Sequence, residues 1–113
     1  MSEHVQVTVT APSAEEAGRL ATMAVERRLA ACAQVSGPVT STYRWEGKVS
    51  TSTEWVCVYK TVARRLPELT AAVRSAHSYD VPEILVSPLV GGDPDYLAWV
   101  DAETGEGGAS RGP

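Results

Sequence analysis

Residues Val39–Thr61 read VTSTYRWEGKVSTSTEWVCVYKT. Glu46-Gly47-Lys48 forms the turn of a β-hairpin, because glycine takes the positive φ that a tight connection needs. The flanks are rich in Thr, Val, Tyr and Trp, which suit a pleated strand. Alternation puts Val39, Ser41, Tyr43 and Trp45 on one face of the first arm. On the second arm Val49, Thr51, Thr53, Trp55, Cys57 and Tyr59 share a face. Both arms exceed the usual strand of about 5–6 residues. Such a ribbon either reaches beyond its own domain to another chain or curves back onto its own core; the pattern alone leaves both open.

The chain has 113 residues, enough for one domain. We expect a single domain over residues 1–102, followed by a disordered tail over 103–113. From Glu103 the composition turns to Gly, Ser and Glu without an apolar anchor. A net charge of −4 argues against nucleic acid as a partner, which would call for a basic stripe. No run of about 18 apolar residues exists to span a membrane. The N-terminal MSEHVQV lacks the pattern of a signal peptide, so a cytoplasmic location is expected. Cys32 and Cys57 lie in strand-like apolar surroundings and are expected to be reduced and buried.

Upstream of the hairpin, His4–Thr10 alternates Val5, Val7 and Val9 against Gln6 and Thr8, a half-buried strand. Ser13 then caps a helix, and Glu16 three residues on completes a capping box. Ala17, Leu20, Ala21, Ala24 and Val25 form its buried face. Arg27 and Arg28 sit near its C-terminus, where the dipole favours positive charge. Ala31–Val35 is a second strand, and Gly37-Pro38 marks a bulge or kink before the first hairpin arm.

After the hairpin a helix starts near Leu66, with Pro67 in its first turn and Leu69, Val73 and Ala76 on one face. Glu83–Leu89, EILVSPL, is a nearly continuous apolar run that reads as a central strand. A short helix covers Asp95–Asp101, introduced by Asp93-Pro94. The order β-α-β-β-α-β makes an α+β ferredoxin-like sandwich with two helices on one face of an antiparallel sheet. The other face is left bare, which points to oligomerisation.

Six motifs then stand in order: Thr10-Ala11-Pro12; Arg28-Leu29-Ala30-Ala31-Cys32; Tyr43-x-Trp45-x-Gly47-Lys48-Val49; Glu54 with Lys60-Thr61; His77-x-Tyr79-x-x-Pro82-Glu83-Ile84; and Asp93-x-Asp95-Tyr96-Leu97-x-Trp99. Together, from about Val5 to Asp101, they resemble the CutA divalent-cation-tolerance family. The resemblance implies a ferredoxin-like fold, a homotrimer similar to the PII signalling proteins, and a role in tolerance of divalent metals, above all copper. Family members usually carry proline after the histidine, where this chain has Ser78. Two positions for which the resemblance implies copper ligands, a cysteine and a second histidine, hold Val9 and Ala76.

His77, Asp80 and Glu83 are the one cluster with metal-ligand elements, for copper or another divalent cation; the same residues also suit a turn and a cap. His4 is expected to be solvated near the terminus. Tyr43, Trp45, Glu54, Lys60, Tyr79 and Glu83 are candidates for a small-molecule cleft built across a subunit boundary, with aromatic walls, a lysine and carboxylates. Their alternative is a set of structural ion pairs and interface aromatics. No nucleophile–base pairing and no glycine-rich phosphate loop is visible, so no enzyme is expected. The expected function is divalent-cation tolerance with weak copper binding; the alternative is a PII-like trimeric sensor of a small metabolite.

Overall fold

The computed structural model describes residues 3–105. It contains β1 (His4–Ala11), α1 (Ala14–Glu26), β2 (Cys32–Trp45), β3 (Lys48–Val62), a 3₁₀ turn at Ala63–Arg65, α2 (Leu66–Ala76), β4 (Ile84–Pro88) and α3 (Pro94–Glu103). The four strands form one antiparallel sheet in the order β2-β3-β1-β4. This is the ferredoxin-like arrangement that the element order predicts. The run Glu83–Leu89 is therefore not central. Its strand is an edge, and Leu85 and Val86 stay exposed. A continuous apolar run fits a strand buried on both faces, but it cannot by itself place that strand in a sheet.

One sheet face carries Val7, Val9 and Ala11 from β1 with Cys57 and Tyr59 from β3. Ala17, Leu20 and Ala24 of α1 and Leu69 and Val73 of α2 close over them. The small alanines let α1 approach the strands closely. Cys57 is sealed in this core, whereas Cys32 is half-exposed, so burial holds for only one of the two thiols. The Tyr59 hydroxyl is buried, and among the described residues no nitrogen or oxygen hydrogen-bonds to it; the weak Cys57 thiol lies beside it.

Ser13 caps α1 by accepting the Glu16 N–H at 3.1 Å. The reciprocal half of the expected capping box does not form. The Glu16 carboxylate instead accepts the Ser78 N–H and hydroxyl, both at 2.9 Å. α1 ends at Glu26, short of the arginine pair. Arg28 takes a φ of 60°, and the Leu29 N–H reaches the Ala24 carbonyl while the Arg28 N–H reaches that of Val25. This is a Schellman close with arginine where glycine is usual. The Arg28 guanidinium is directed to the Glu103 carbonyl and carboxylate rather than to its own helix.

The C-terminal boundary lies beyond Ala102. Glu103 is the last residue of α3, and Thr104 is fully buried. The Thr104 carbonyl accepts from Arg64 at 3.2 Å and from Arg65 at 2.8 Å. These cations meet the negative end of the helix dipole. Trp99 and Val100 pack on Ala31 and Val62, and Asp101 pairs with His4 at 2.9 Å, so His4 is engaged rather than solvated. The tail expected to be disordered otherwise falls on residues 106–113, outside the described residues.

The hairpin carries the most extended part of the molecule. β2 has 14 residues and β3 has 15, and the molecule measures 49 × 26 × 23 Å. Glu46 and Gly47 form a two-residue turn with φ of 50° and 80°, the pattern of a type I′ turn whose twist matches the strands. β1 pairs with β3 only as far as Ala11 opposite Trp55. Beyond it, among the described residues, Lys48–Glu54 has only Val39–Trp45 as a strand neighbour. The register slips between Ser36 and Val39, at the position where the sequence predicts a bulge.

Candidate functional site

Strand register fixes which candidates share a surface. Partners opposite one another lie on one face, so the sheet face away from α1 and α2 carries Gln6, Thr8 and Thr10 of β1. It also carries Glu54, Val56, Val58 and Lys60 of β3 and Leu85 and Ser87 of β4. Tyr43 and Trp45 continue this face along the hairpin, opposite Ser50 and Lys48. Glu83 enters beside it, one residue before β4.

The segment after α2 positions the centre of the site. His77 is buried, and its Nε2 lies 2.7 Å from the Thr10 carbonyl. Its Nδ1 accepts the Tyr79 N–H at 3.0 Å, so the neutral ring donates from Nε2. The ring packs against that of Tyr79 with centroids 4.8 Å apart. The Tyr79 hydroxyl donates to Glu54 Oε2 at 2.8 Å. Burial pushes the Tyr79 phenol well above its ordinary range, and the Glu54 carboxylate adds to the shift, with a smaller contribution from Tyr43. Glu54 itself is 8% exposed.

Within one chain Tyr79 and Glu54 are joined by this hydrogen bond, and Tyr43 lies further along the same face, opposite Ser50. Trp45 stands further out and exposed. Lys60 does not join them within one chain. Its ammonium donates to Gln34 Oε1 at 2.7 Å. Five strand residues lie between it and Glu54, a span of about 20 Å. Glu83 and Asp80 are exposed.

The metal cluster does not assemble. Both His77 nitrogens are engaged, and among the described residues no three His, Cys, Asp or Glu side chains converge. Val9 is sealed in the core and offers no donor atom, and neither does Ala76.

Sequence reasoning missed Glu16. It reads as a cap, yet its carboxylate secures Ser78 and lies 3.4 Å from His77 Nδ1. Burial opposes its ionisation, but the two Ser78 hydrogen bonds, with Arg19 adding to them, outweigh this and hold its pKa below the ordinary value. A group with a depressed folded pKa stabilises above its unfolded value, and the benefit fades as pH falls through the folded value. Glu16→Gln is expected to lose about 1–2 kcal/mol at neutral pH, within the usual range for hydrogen bonds to a charged group. Denaturant midpoints of both proteins should converge below about pH 4, near and under the ordinary glutamate value. A gap that persists unchanged to pH 3 would assign the loss to shape rather than to charge.

Residues 5–103 match the CutA1 divalent ion tolerance protein family. The chain belongs to the CutA family of divalent-cation tolerance proteins. The divalent-cation tolerance protein CutA of Thermus thermophilus is 40% identical over 99 residues, covering 88% of this chain and 96% of that one. The chloroplastic CutA of Arabidopsis thaliana is 39% identical over 100 residues, covering 88% of this chain and 55% of its own length. The CutA1 crystal structure from Oryza sativa superposes with a TM-score of 0.90 at 39% identity, covering 93% of this chain and 96% of that one. The Thermus thermophilus structure gives 0.88 at 39% identity, covering 90% and 99%. Among the described residues no helix is long and apolar enough to cross a membrane.

Proposed function

We propose that this CutA-family chain acts in divalent-cation tolerance as a homotrimeric binding protein of the cytoplasm rather than as an enzyme. The observation that supports assembly is the outer ribbon. Among the described residues Lys48–Glu54 and Val39–Trp45 have no third strand, and Val39, Tyr43, Trp45 and Val49 are exposed along them. The number three comes from the family resemblance. Free thiols at Cys32 and Cys57 suit a reducing compartment. Copper or another divalent cation binds only weakly, through exposed carboxylates such as Asp80 and Glu83, because His77 is engaged inside the fold. Calorimetry with Cu²⁺ is expected to show no site tighter than about 10 μM, since strong copper sites need several fixed nitrogen or sulfur ligands. Tight binding that disappears in His77→Ala would overturn this.

The Tyr79–Glu54 pair, with Tyr43 further along the same face, favours a second reading, a PII-like sensor that takes a small metabolite between subunits. A nucleotide and metabolite panel, with binding lost in Lys60→Ala, would select that reading.

A further inference from the structure

The open sheet face is electrically lopsided. At one end stand Glu54, opposite Val39, and Glu83, just ahead of β4. At the other end Lys60 stands opposite Gln6 and Cys32. Glu54 is 8% exposed, and no basic side chain among the described residues lies within ion-pair distance of it. Its side-chain support is one neutral hydroxyl, that of Tyr79, on Oε2. Among the described residues the Tyr59 hydroxyl is the only side-chain polar atom both sealed and unpartnered, so Glu54 Oε1, which has no hydrogen bond, keeps some contact with solvent. A carboxylate this buried calls for a counter-charge. Lys60 has the complementary need: its ammonium rests on the neutral Gln34 amide. The two cannot satisfy each other within one strand, being about 20 Å apart.

We propose that Lys60 of one copy enters the acidic end of the open face of the next copy, where Glu54 and Glu83 receive it. This rests on the oligomeric reading above and adds the residues that lock it. Head-to-tail contact of two different patches is also what closes a cyclic assembly. Lys48 shares the parity of this face but is exposed at the hairpin turn beside Trp45. Lys60 is half-buried on the sheet and already held by Gln34, which makes it the better-fixed donor. Tyr79 is then a positioning residue, fixing one carboxylate oxygen so that the other faces the incoming ammonium.

Charge reversal tests the pairing in the intact chain. Sedimentation equilibrium would be run on wild type, Lys60→Glu, Glu54→Lys, and chains that combine Lys60→Glu with Glu54→Lys or with Glu83→Lys. Glu54→Gln, which keeps an acceptor for Tyr79, adds a gentler variant, and far-UV circular dichroism verifies folding. Each single reversal is expected to weaken assembly by at least about 30-fold, as for a truncated buried charge pair. A combined reversal is expected to return affinity to within about tenfold of wild type, the coupling that touching residues show. Rescue by either acidic partner supports the proposal. Wild-type assembly that ignores the single changes, or combined changes that merely add, overturns it while leaving the oligomer intact. A monomeric wild type would defeat the oligomeric reading itself.

Discussion

Trp45→Ala is expected to weaken self-association by about 30- to 150-fold per subunit while leaving the far-UV spectrum unchanged. The estimate starts from surface. A buried aromatic removes about 150–250 Å² from water. Trp45 is 53% exposed in the single chain, so roughly 100 Å² remains to be covered by a neighbour. At about 25 cal/mol/Å² that is worth about 2–3 kcal/mol. Tenfold in affinity corresponds to about 1.4 kcal/mol. The secondary structure should survive, because the ribbon's hydrogen bonds to β2 and its Glu46-Gly47 turn do not involve the indole. Light scattering across a dilution series would measure the shift. An unchanged dissociation constant would mean that the hairpin tip lies outside the interface.

Gly37→Ala is expected to cost about 2–5 kcal/mol of folding stability, combining backbone strain with overpacking. Gly37 has a φ of +147°, a region that side chains rarely adopt. A Cβ there would fall 2.7 Å from Trp55 Cδ1, 2.9 Å from Cγ and 3.1 Å from the Trp55 Cα. The ring is packed against the main core and the Cα belongs to β3, so neither can retreat freely. Gly18→Ala is the natural comparison. Gly18 sits inside α1 with open space where a Cβ would be. That change should gain about 0.5–1 kcal/mol from helix propensity. Urea titrations of the two variants should therefore move in opposite directions. Equal midpoints would remove the steric argument at the bulge.

The hairpin, the bulge, the helix starts and the sheet's composition were legible in the sequence because each rests on local rules. Glycine marks the turn, Ser13 and Asp93 accept from helical N–H groups, and alternation separates core from surface. Strand order is a different matter. EILVSPL has the composition of a central strand, yet nothing local distinguishes an inner strand from an edge that another molecule covers. The site shows the same division. Of the cleft candidates the sequence names, the fold joins Tyr79 and Glu54 by a hydrogen bond. Lys60 sits about 20 Å from Glu54 along the same strand, so the cleft that the sequence reading draws across a subunit boundary takes its lysine from another copy. His77 has a ligand's chemistry, and only tertiary structure reveals that the Thr10 carbonyl and the Tyr79 N–H occupy its nitrogens. Glu16 was hidden for the opposite reason: a strong local motif explained it before its long-range partners Ser78 and His77 could be considered.

The outer strand β4 has a further consequence for a subunit released by dilution. Its free edge offers unpaired backbone groups to any passing chain, an invitation to fibrous growth. Cross-strand stacking into fibrils draws on segments of about six or seven residues without proline. Between Pro82 and Pro88 the chain offers only Glu83-Ile84-Leu85-Val86-Ser87, with a charge at its first position. Along this edge a solitary subunit should therefore be sticky without being a template: a peptide of residues 82–88 should leave thioflavin fluorescence flat.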